Sequence, residues 1–270
     1  MQAPSTLAAS SLSLGYGDRP VVKDLTLPLP TGKVTIIIGP NACGKSTFLR
    51  GLARLLPPSS GAVLLDGKSI QETPSREVAL RLGILPQGPI APDGITVTDL
   101  VSRGRHVHQG WFRRWSSSDD EAVEQALTAT GTLELAARSV DELSGGQRQR
   151  VWIAMALAQR TGVLLLDEPT TYLDVSHQVE VLDVLTDLNE SEGTTIVIVL
   201  HELNLACRYA DHLVVMKDGA VVTAGAPTEV LTEEVVTDVF GIRCRVVPDP
   251  VSNTPMIVPI GRHRTSRGRS

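Results

Sequence analysis

The sequence predicts an α/β fold: a mixed, largely parallel sheet core, an antiparallel β subdomain at the N-terminus and a helical subdomain inserted into the middle. Three observations carry this. Apolar runs of strand length alternate with helical stretches, the pattern of a parallel sheet with crossover helices. The first thirty residues instead hold short alternating runs (Leu12 and Leu14; Val22, Leu25, Leu27 and Leu29) among Gly and Pro, which suggests antiparallel strands. From about residue 95 to 160, helical patterns replace strands.

Along the chain, Lys33–Gly39 (KVTIIIG) is a β-branched run ending in glycine and reads as a buried strand. A helix over about Lys45 to Leu56 follows, stopped by Pro57-Pro58. Gly61–Asp66 and Gly83–Pro86 read as further strands. Ser118-Asp119-Asp120-Glu121 predicts a helix start in which Ser118 caps and Glu121 completes a capping box. A helix from Gln147 to about Gln159, a strand over Val163–Asp167, a helix from about Asp174 to Glu192 and a strand over Thr194–Leu200 complete the pattern. In the third of these, Val175, Val179, Leu182, Leu185 and Leu188 recur at spacings of three and four and predict one core-facing stripe. The expected division is a discontinuous α/β core of residues 1–87 and 161–246, a helical subdomain of 88–160 and a C-terminal extension of 247–270 with a basic tail.

Composition bounds the function. The 270 residues, 42% hydrophobic and 20% charged, are enough for one large domain or two small ones with a real core, which excludes disorder. The net charge of −5 argues against a general nucleic-acid binder. Four arginines (Arg262, Arg264, Arg267 and Arg269) stand in the last nine positions, so the rest of the chain is more acidic than the average. Three cysteines at unrelated spacings, Cys43, Cys207 and Cys244, fit a reduced compartment better than a disulfide scaffold. Apolar runs such as Val163–Leu166 and Ile196–Leu200 have buried-strand length, far short of a membrane span. MQAPSTLAAS lacks the basic start and apolar centre of a secretory signal. The expectation is a soluble intracellular chain that meets a membrane only through a partner.

The chemistry starts at Gly39-Pro40-Asn41-Ala42-Cys43-Gly44-Lys45-Ser46, a G-x-x-x-x-G-K-S pattern placed between a predicted strand and a predicted helix. Inward-pointing amides of such a loop wrap a phosphate, and the helix start adds unpaired N–H groups and a partial positive charge. Lys45 can bridge β- and γ-phosphates, and the Ser46 hydroxyl can ligate Mg²⁺. A nucleoside triphosphate also needs a carboxylate for the metal and a group to organise water. Val163–Glu168 (VLLLDE) places two carboxylates at the C-terminal end of a buried strand: Asp167 for Mg²⁺ and Glu168 for the attacking water. Leu143-Ser144-Gly145-Gly146-Gln147 is a second helix start suited to anions, about 100 residues further on, where one phosphate site needs only one.

These residues resemble the ATP-binding-cassette (ABC) ATPases over nearly the whole chain. GPNACGKST, through Thr47, resembles the family's phosphate loop and LSGGQRQR its signature; Gln87 in ILPQG resembles the glutamine that senses metal and γ-phosphate. LLLDEPT resembles the metal strand with its catalytic Glu168, TYLDVS the loop around Asp174 that communicates across a dimer, and His201 in VLHELN the switch histidine. The resemblance implies that two copies sandwich two ATP molecules. Ser144, Gly145, Gly146 and Gln147 of one copy would act in trans on the nucleotide held by Lys45 of the other. It also implies that Tyr16 stacks on adenine, and that Ser46, Gln87 and Asp167 hold Mg²⁺. Ala42 stands where many members have glycine, which a negative φ would tolerate and a positive φ would strain.

The strings RGRHVHQGWFRRWSSSDDEAVEQAL, VWIAMALAQ and CRVVPDPVSNTPMIVPIGR resemble ATPases of bacterial ferric-siderophore importers. The implied function is the motor subunit of such an importer, bound to a separate membrane permease at the cytoplasmic face and, through it, to an extracytoplasmic substrate-binding protein. The alternatives are the same motor for cobalamin or haem, and a soluble ABC-type ATPase switch without a permease. His106, His108 and His177 lack metal-site spacing and read as solvated or interfacial. Trp111, Phe112 and Trp115 with Arg113 and Arg114 form either a contact for the permease or lipid headgroups, or a satellite apolar cluster. Cys43 reads as a small space-filler and the terminal arginines as a solvated tail.

Overall fold

The computed structural model describes residues 5–109 and 115–261. The first two strands, β1 (Leu7–Tyr16) and β2 (Arg19–Leu29), form a hairpin. The predicted buried strand is β3 (Val34–Ile38), and helix α1 (Lys45–Leu52) follows it. α1 ends one turn short of the expected Leu56. Arg54 adopts a left-handed φ of 61°, and the amides of Leu55 and Leu56 turn back to the carbonyl of Arg50. Next come β4 (Ser60–Leu65), β5 (Lys68–Ser69), α2 (Ser75–Arg81) and β6 (Leu82–Leu85).

The middle of the chain is helical: α3 (Val97–Ser102), a 3₁₀ turn at Arg103–His108, α4 (Ser117–Ala129), two short 3₁₀ turns at Leu133–Leu135 and Val140–Glu142, and α5 (Gly145–Ala158). The cap of α4 is Ser116, not Ser118. Asp119 decides this: its carboxylate accepts hydrogen bonds from the Ser116 amide and hydroxyl at 3.1 and 2.8 Å while also receiving Arg105 Nε at 3.0 Å. That places Asp119 at the third helical position, so the cap must lie three residues before it. The Arg105–Asp119 pair is buried, and Arg105 also donates to the carbonyl of Ala158, tying the 3₁₀ turn, α4 and α5 into one block.

The chain then returns to the sheet with β7 (Val163–Asp167), α6 (Val175–Glu192), β8 (Thr195–Val199), α7 (Leu203–Tyr209), β9 (His212–Lys217) and β10 (Ala220–Gly225). It ends with α8 (Pro227–Val230), α9 (Glu233–Phe240) and a hairpin of β11 (Cys244–Pro248) and β12 (Pro255–Pro259). On α6 the buried positions are Val181, Leu182 and Leu185. The expected stripe is therefore shifted at its start: Val175, in the first turn, is 73% exposed.

Two sheets form the body. A four-stranded antiparallel sheet runs β2-β1-β4-β5, and a six-stranded sheet runs β10-β9-β3-β8-β7-β6, parallel except for the edge strand β10. β3, β7 and β8 are buried at every residue, as a parallel sheet covered on both faces requires. Alternate residues feed two cores. Ile36, Ile38, Leu164, Leu166, Ile196 and Ile198 pack with the helical middle and α6, and Ile37, Leu165, Val197 and Val199 pack with α1 and the antiparallel sheet. Because β3, β8, β7 and β6 run parallel, the segments that follow them all emerge at one edge of the sheet, where parallel sheets bind ligands.

Candidate functional site

The phosphate loop leaves β3 over a tight support. A Cβ on Gly39 would lie 2.2 Å from the carbonyl oxygen of Met216 on β9, so only glycine lets the loop cross there. Ala42 has φ 60°, the strained alternative raised by the sequence, and an L-residue held left-handed costs about 1–2 kcal/mol. Gly44, also left-handed, begins α1, and no side chain caps that helix. The amides at the start of α1 therefore stay available to an anion. Lys45 is 5% exposed, and its ammonium donates to the carbonyls of Gly39 and Pro40 at 2.8 and 2.9 Å, which holds the charge over the loop.

The two carboxylates have different surroundings. Asp167 Oδ1 accepts the Ser46 hydroxyl at 2.9 Å, while its buried Oδ2 has no partner among the described residues. Burial pushes the Asp167 carboxyl up; the Ser46 hydrogen bond opposes this, and the neighbouring Glu168 charge adds to it. An orphaned, buried carboxylate oxygen beside a serine hydroxyl is a hard-oxygen donor set that fits Mg²⁺. Glu168 sits at φ 54°, its amide bonded to the carbonyl of Val199, and this bend turns its side chain into the cleft. There Oε1 lies 2.5 Å from His201 Nε2, and Oε2 accepts Gln87 Nε2 at 2.8 Å and the Thr171 hydroxyl at 3.3 Å. Three separate strand ends thus meet on one carboxylate.

A cleft of about 650 Å³ runs over these groups, lined by Tyr16, Arg19, Val21, residues 41–47, Gln87, Glu168 and His201. Tyr16 is 49% exposed, and its hydroxyl accepts Arg50 Nη1 at 3.3 Å, leaving the ring on the cleft wall. Arg19, Val21 and Thr171 were not singled out by the sequence. The available signal for the first two was the Gly17-Asp18 turn, which pairs Tyr16 with Arg19 across the β1–β2 hairpin. Thr171 follows Glu168 by three residues, the spacing of a local turn.

The remaining candidates lie outside this cleft. Ser144 caps α5: its hydroxyl accepts the Gln147 amide at 3.2 Å, and the Gln147 side chain accepts the Ser144 amide at 3.1 Å. Gly145 and Gly146 open α5 against the side chains of Tyr172 and Leu173, where a Cβ on Gly146 would meet Leu173 Cδ2 at 3.3 Å. Asp174 caps α6, accepting from the His177 amide, the His177 ring and the Ser176 hydroxyl, and these bonds lower its pKa to about 2. The structure thus brings the serine-glycine turn together with the 169–174 loop, joined further by Gln149 donating to the Pro169 carbonyl at 2.9 Å, and not with its own phosphate loop.

Other singled-out residues resolve simply. His177 pairs with Asp174, His108 with the carbonyl of Gln159, and among the described residues no cluster of His, Cys, Asp and Glu forms a metal site. The three cysteines are free and buried, and burial raises the Cys43 thiol above its ordinary pKa. Trp115 donates to Asp120 at 2.6 Å; Trp111, Phe112, Arg113, Arg114 and the terminal arginines lie outside the described residues. Among the described residues no helix is long and apolar enough to cross a membrane.

The family model described as ABC transporter matches residues 22–171, more than half of the chain and every group from Val22 to Thr171 described above. The chain belongs to the ABC transporter family. This ABC transporter ATPase is 51% identical over 269 residues to the ferric enterobactin transport ATP-binding protein of Escherichia coli (strain K12), covering all of this chain and 99% of that one. It is 54% identical over 260 residues to the achromobactin transport ATP-binding protein of Dickeya dadantii (strain 3937), covering 96% and 97%. In structure it matches an ABC transporter in an inward-facing conformation, with a TM-score of 0.80, 30% identity and 96% and 98% coverage. It also matches the dimeric bacterial ABC cassette MJ0796, with a TM-score of 0.74, 27% identity and 82% and 98% coverage. Members of the family are ATPases whose cassettes form dimers and work with membrane permease components, and this chain is such an ATP-hydrolysing subunit.

Proposed function

We propose that this ATPase energises import of ferric siderophores through a separate membrane permease, held at its cytoplasmic face, with an extracytoplasmic binding protein delivering the cargo. The observation that carries the cargo is the full-length similarity, at about half identity, to several proteins named for siderophore transport. The cobalamin import ATP-binding protein of Halobacterium salinarum is a weaker match at 39% identity, which favours the siderophore reading over cobalamin.

The α/β core of 1–87 and 161–246 holds the nucleotide in this reading, and the helical 88–160 presents the signature to a second copy. ATP lies with its triphosphate on the loop amides and Lys45 and its base on Tyr16. Ser46 and Asp167, with Gln87, would hold Mg²⁺, which when bound offsets charge on the phosphoryl oxygens. Glu168 accepts the proton of the attacking water, and His201 orients Glu168 and the transferring phosphoryl group. Gln87 lies in the connection from β6 to α3, so its bond to Glu168 links the chemistry to the helical subdomain. The signature and the Asp174 loop, adjacent to each other and outside the home cleft, complete the site of a partner copy.

Deletion of the gene followed by uptake of one labelled ferric siderophore tests the cargo. Loss of uptake, restored by the wild-type chain and not by Glu168→Gln, is expected. Retained siderophore uptake with lost cobalamin uptake would move the assignment to cobalamin. Recovery of an active ATPase that never co-purifies with a polytopic membrane protein would replace transport with a soluble switch.

A further inference from the structure

The β9–β10 turn is placed unlike an ordinary hairpin tip. Asp218 and Gly219, at φ 49° and 82°, make a two-residue connection with both residues left-handed, the conformation that Asp-Gly favours. Such a tip normally points into solvent, yet Gly219 is buried. Its amide donates to the carbonyl of Cys43 in the phosphate loop at 2.9 Å, and its own carbonyl accepts the amide of Lys23 on β2 at 3.4 Å. A Cβ at Gly219 would lie 1.9 Å from the carbonyl oxygen of Val21. From the other side, a Cβ on Gly44 would meet Val21 and Val22 at 3.3 and 3.5 Å and the Gly219 Cα at 3.6 Å. Three elements therefore close on one point with no room for a methyl group. Two of them are walls of the cleft: Val21 belongs to the hairpin that carries Tyr16 and Arg19, and Cys43 belongs to the loop.

We infer that Gly219 is a positioning residue for the nucleotide, a backbone staple that sets the distance between the base-stacking wall of β1–β2 and the phosphate loop. The inference rests on the reading of Tyr16 as the base platform. ATP must engage both walls at once, whereas inorganic triphosphate engages only the loop. Displacing Val21 by the bulk of one methyl group separates the walls, so the base contribution falls while the loop keeps its amides. Stacking on a base contributes about 1–3 kcal/mol, or roughly 5- to 150-fold in affinity.

The test is calorimetric titration of the full-length chain with ATP and with inorganic triphosphate, in wild type and in Gly219→Ala. Wild type is expected to prefer ATP by about tenfold or more. In the variant, ATP affinity should fall about tenfold while triphosphate affinity stays within about threefold. Equal losses for the two ligands, or no loss for either, would mean that Gly219 is only a stabilising turn and would overturn the inference. A wild-type preference near one would sink the base platform, and the staple with it, which separates the two failures. Should Gly219→Ala not fold, amide exchange of the wild-type chain decides: saturating ATP, which engages both walls, is expected to slow Gly219 exchange beyond what saturating inorganic triphosphate does, and equal rates with the two ligands overturn the proposal.

Discussion

Replacing Glu168 by glutamine changes one atom at the junction of three strand ends. The carboxylate accepts Gln87 and Thr171 on Oε2 and meets His201 on Oε1. A glutamine in the same rotamer keeps its carbonyl oxygen toward the two donors and turns its NH₂ toward His201 Nε2, which then accepts as the tautomer protonated on Nδ1. No bond to the surrounding structure is lost and no volume changes, so folding and ATP affinity should stay within about twofold of wild type. What is lost is the base. General-base catalysis contributes about 10²–10⁴ in rate, or roughly 3–5 kcal/mol of barrier at 1.36 kcal/mol per tenfold. Phosphate release at saturating ATP should fall by that factor, while titration calorimetry gives an unchanged Kd and size-exclusion chromatography with ATP gives a longer-lived dimer. Turnover within about threefold of wild type would refute the role of Glu168 as base, since that factor is below the smallest contribution a base makes. A raised Kd with unchanged kcat would instead make Glu168 a binding group.

Lys45→Ala removes the buried ammonium that caps the loop carbonyls, and should abolish measurable ATP binding in the same calorimeter; unchanged binding would overturn the phosphate-loop assignment. Arg105→Met leaves the Asp119 charge buried with one partner fewer, and breaking a buried pair from one side costs about 3–5 kcal/mol. At about 2–4 °C per kcal/mol for a chain of this size, a melting temperature lower by about 10 °C is expected by calorimetry. The same pair makes a pH prediction. Burial pushes Asp119 up, but the bonds from Ser116 and Arg105 outweigh it and hold the carboxyl below its ordinary 3.8. Its stabilising contribution is therefore complete above about pH 4 and is lost as the pH falls through the lowered value, and Asp119→Asn should flatten that part of the acid-unfolding curve.

Much of the site was legible because its chemistry is local. The phosphate loop and the Asp167-Glu168 pair are contiguous strings whose strand and helix context can be read from the same few residues. Gln87, His201, Tyr16 and Asp174 are single residues without a local pattern, and only the family resemblance picked them out. Arg19 and Val21 reach the cleft through hairpin pairing and Thr171 meets Glu168 through a turn; the sequence carries both turns but not the cleft they face. The misreadings are of the same kind. Ser116, Ser117 and Ser118 are equivalent caps by type, and the choice falls to Ser116 because Arg105, distant in the fold's logic, fixes Asp119. Val175 shares the helical period of α6 yet is exposed, because the core beneath α6 begins only at Val181. Ala42 could be read as tolerable or strained until its φ was known.

The strand order also dictates when the site comes into being. β3 pairs with β8, joining Val34 to Ile196, and β1 joins β4 with Leu7 opposite Leu65, while β1 and β2 pair across a tight turn. Loop-closure entropy favours the β1–β2 hairpin forming before the distant pairs. During synthesis the phosphate loop leaves the ribosome with its Lys45 and Ser46 but without β7, β8 or the residues that follow them. A nascent chain can therefore carry the phosphate loop before it has Glu168, His201 or the Gly219 turn that bonds to the loop. Under the proposed roles of Glu168 and His201, ATP hydrolysis is therefore expected only once β7 and β8 have joined the sheet beside β3.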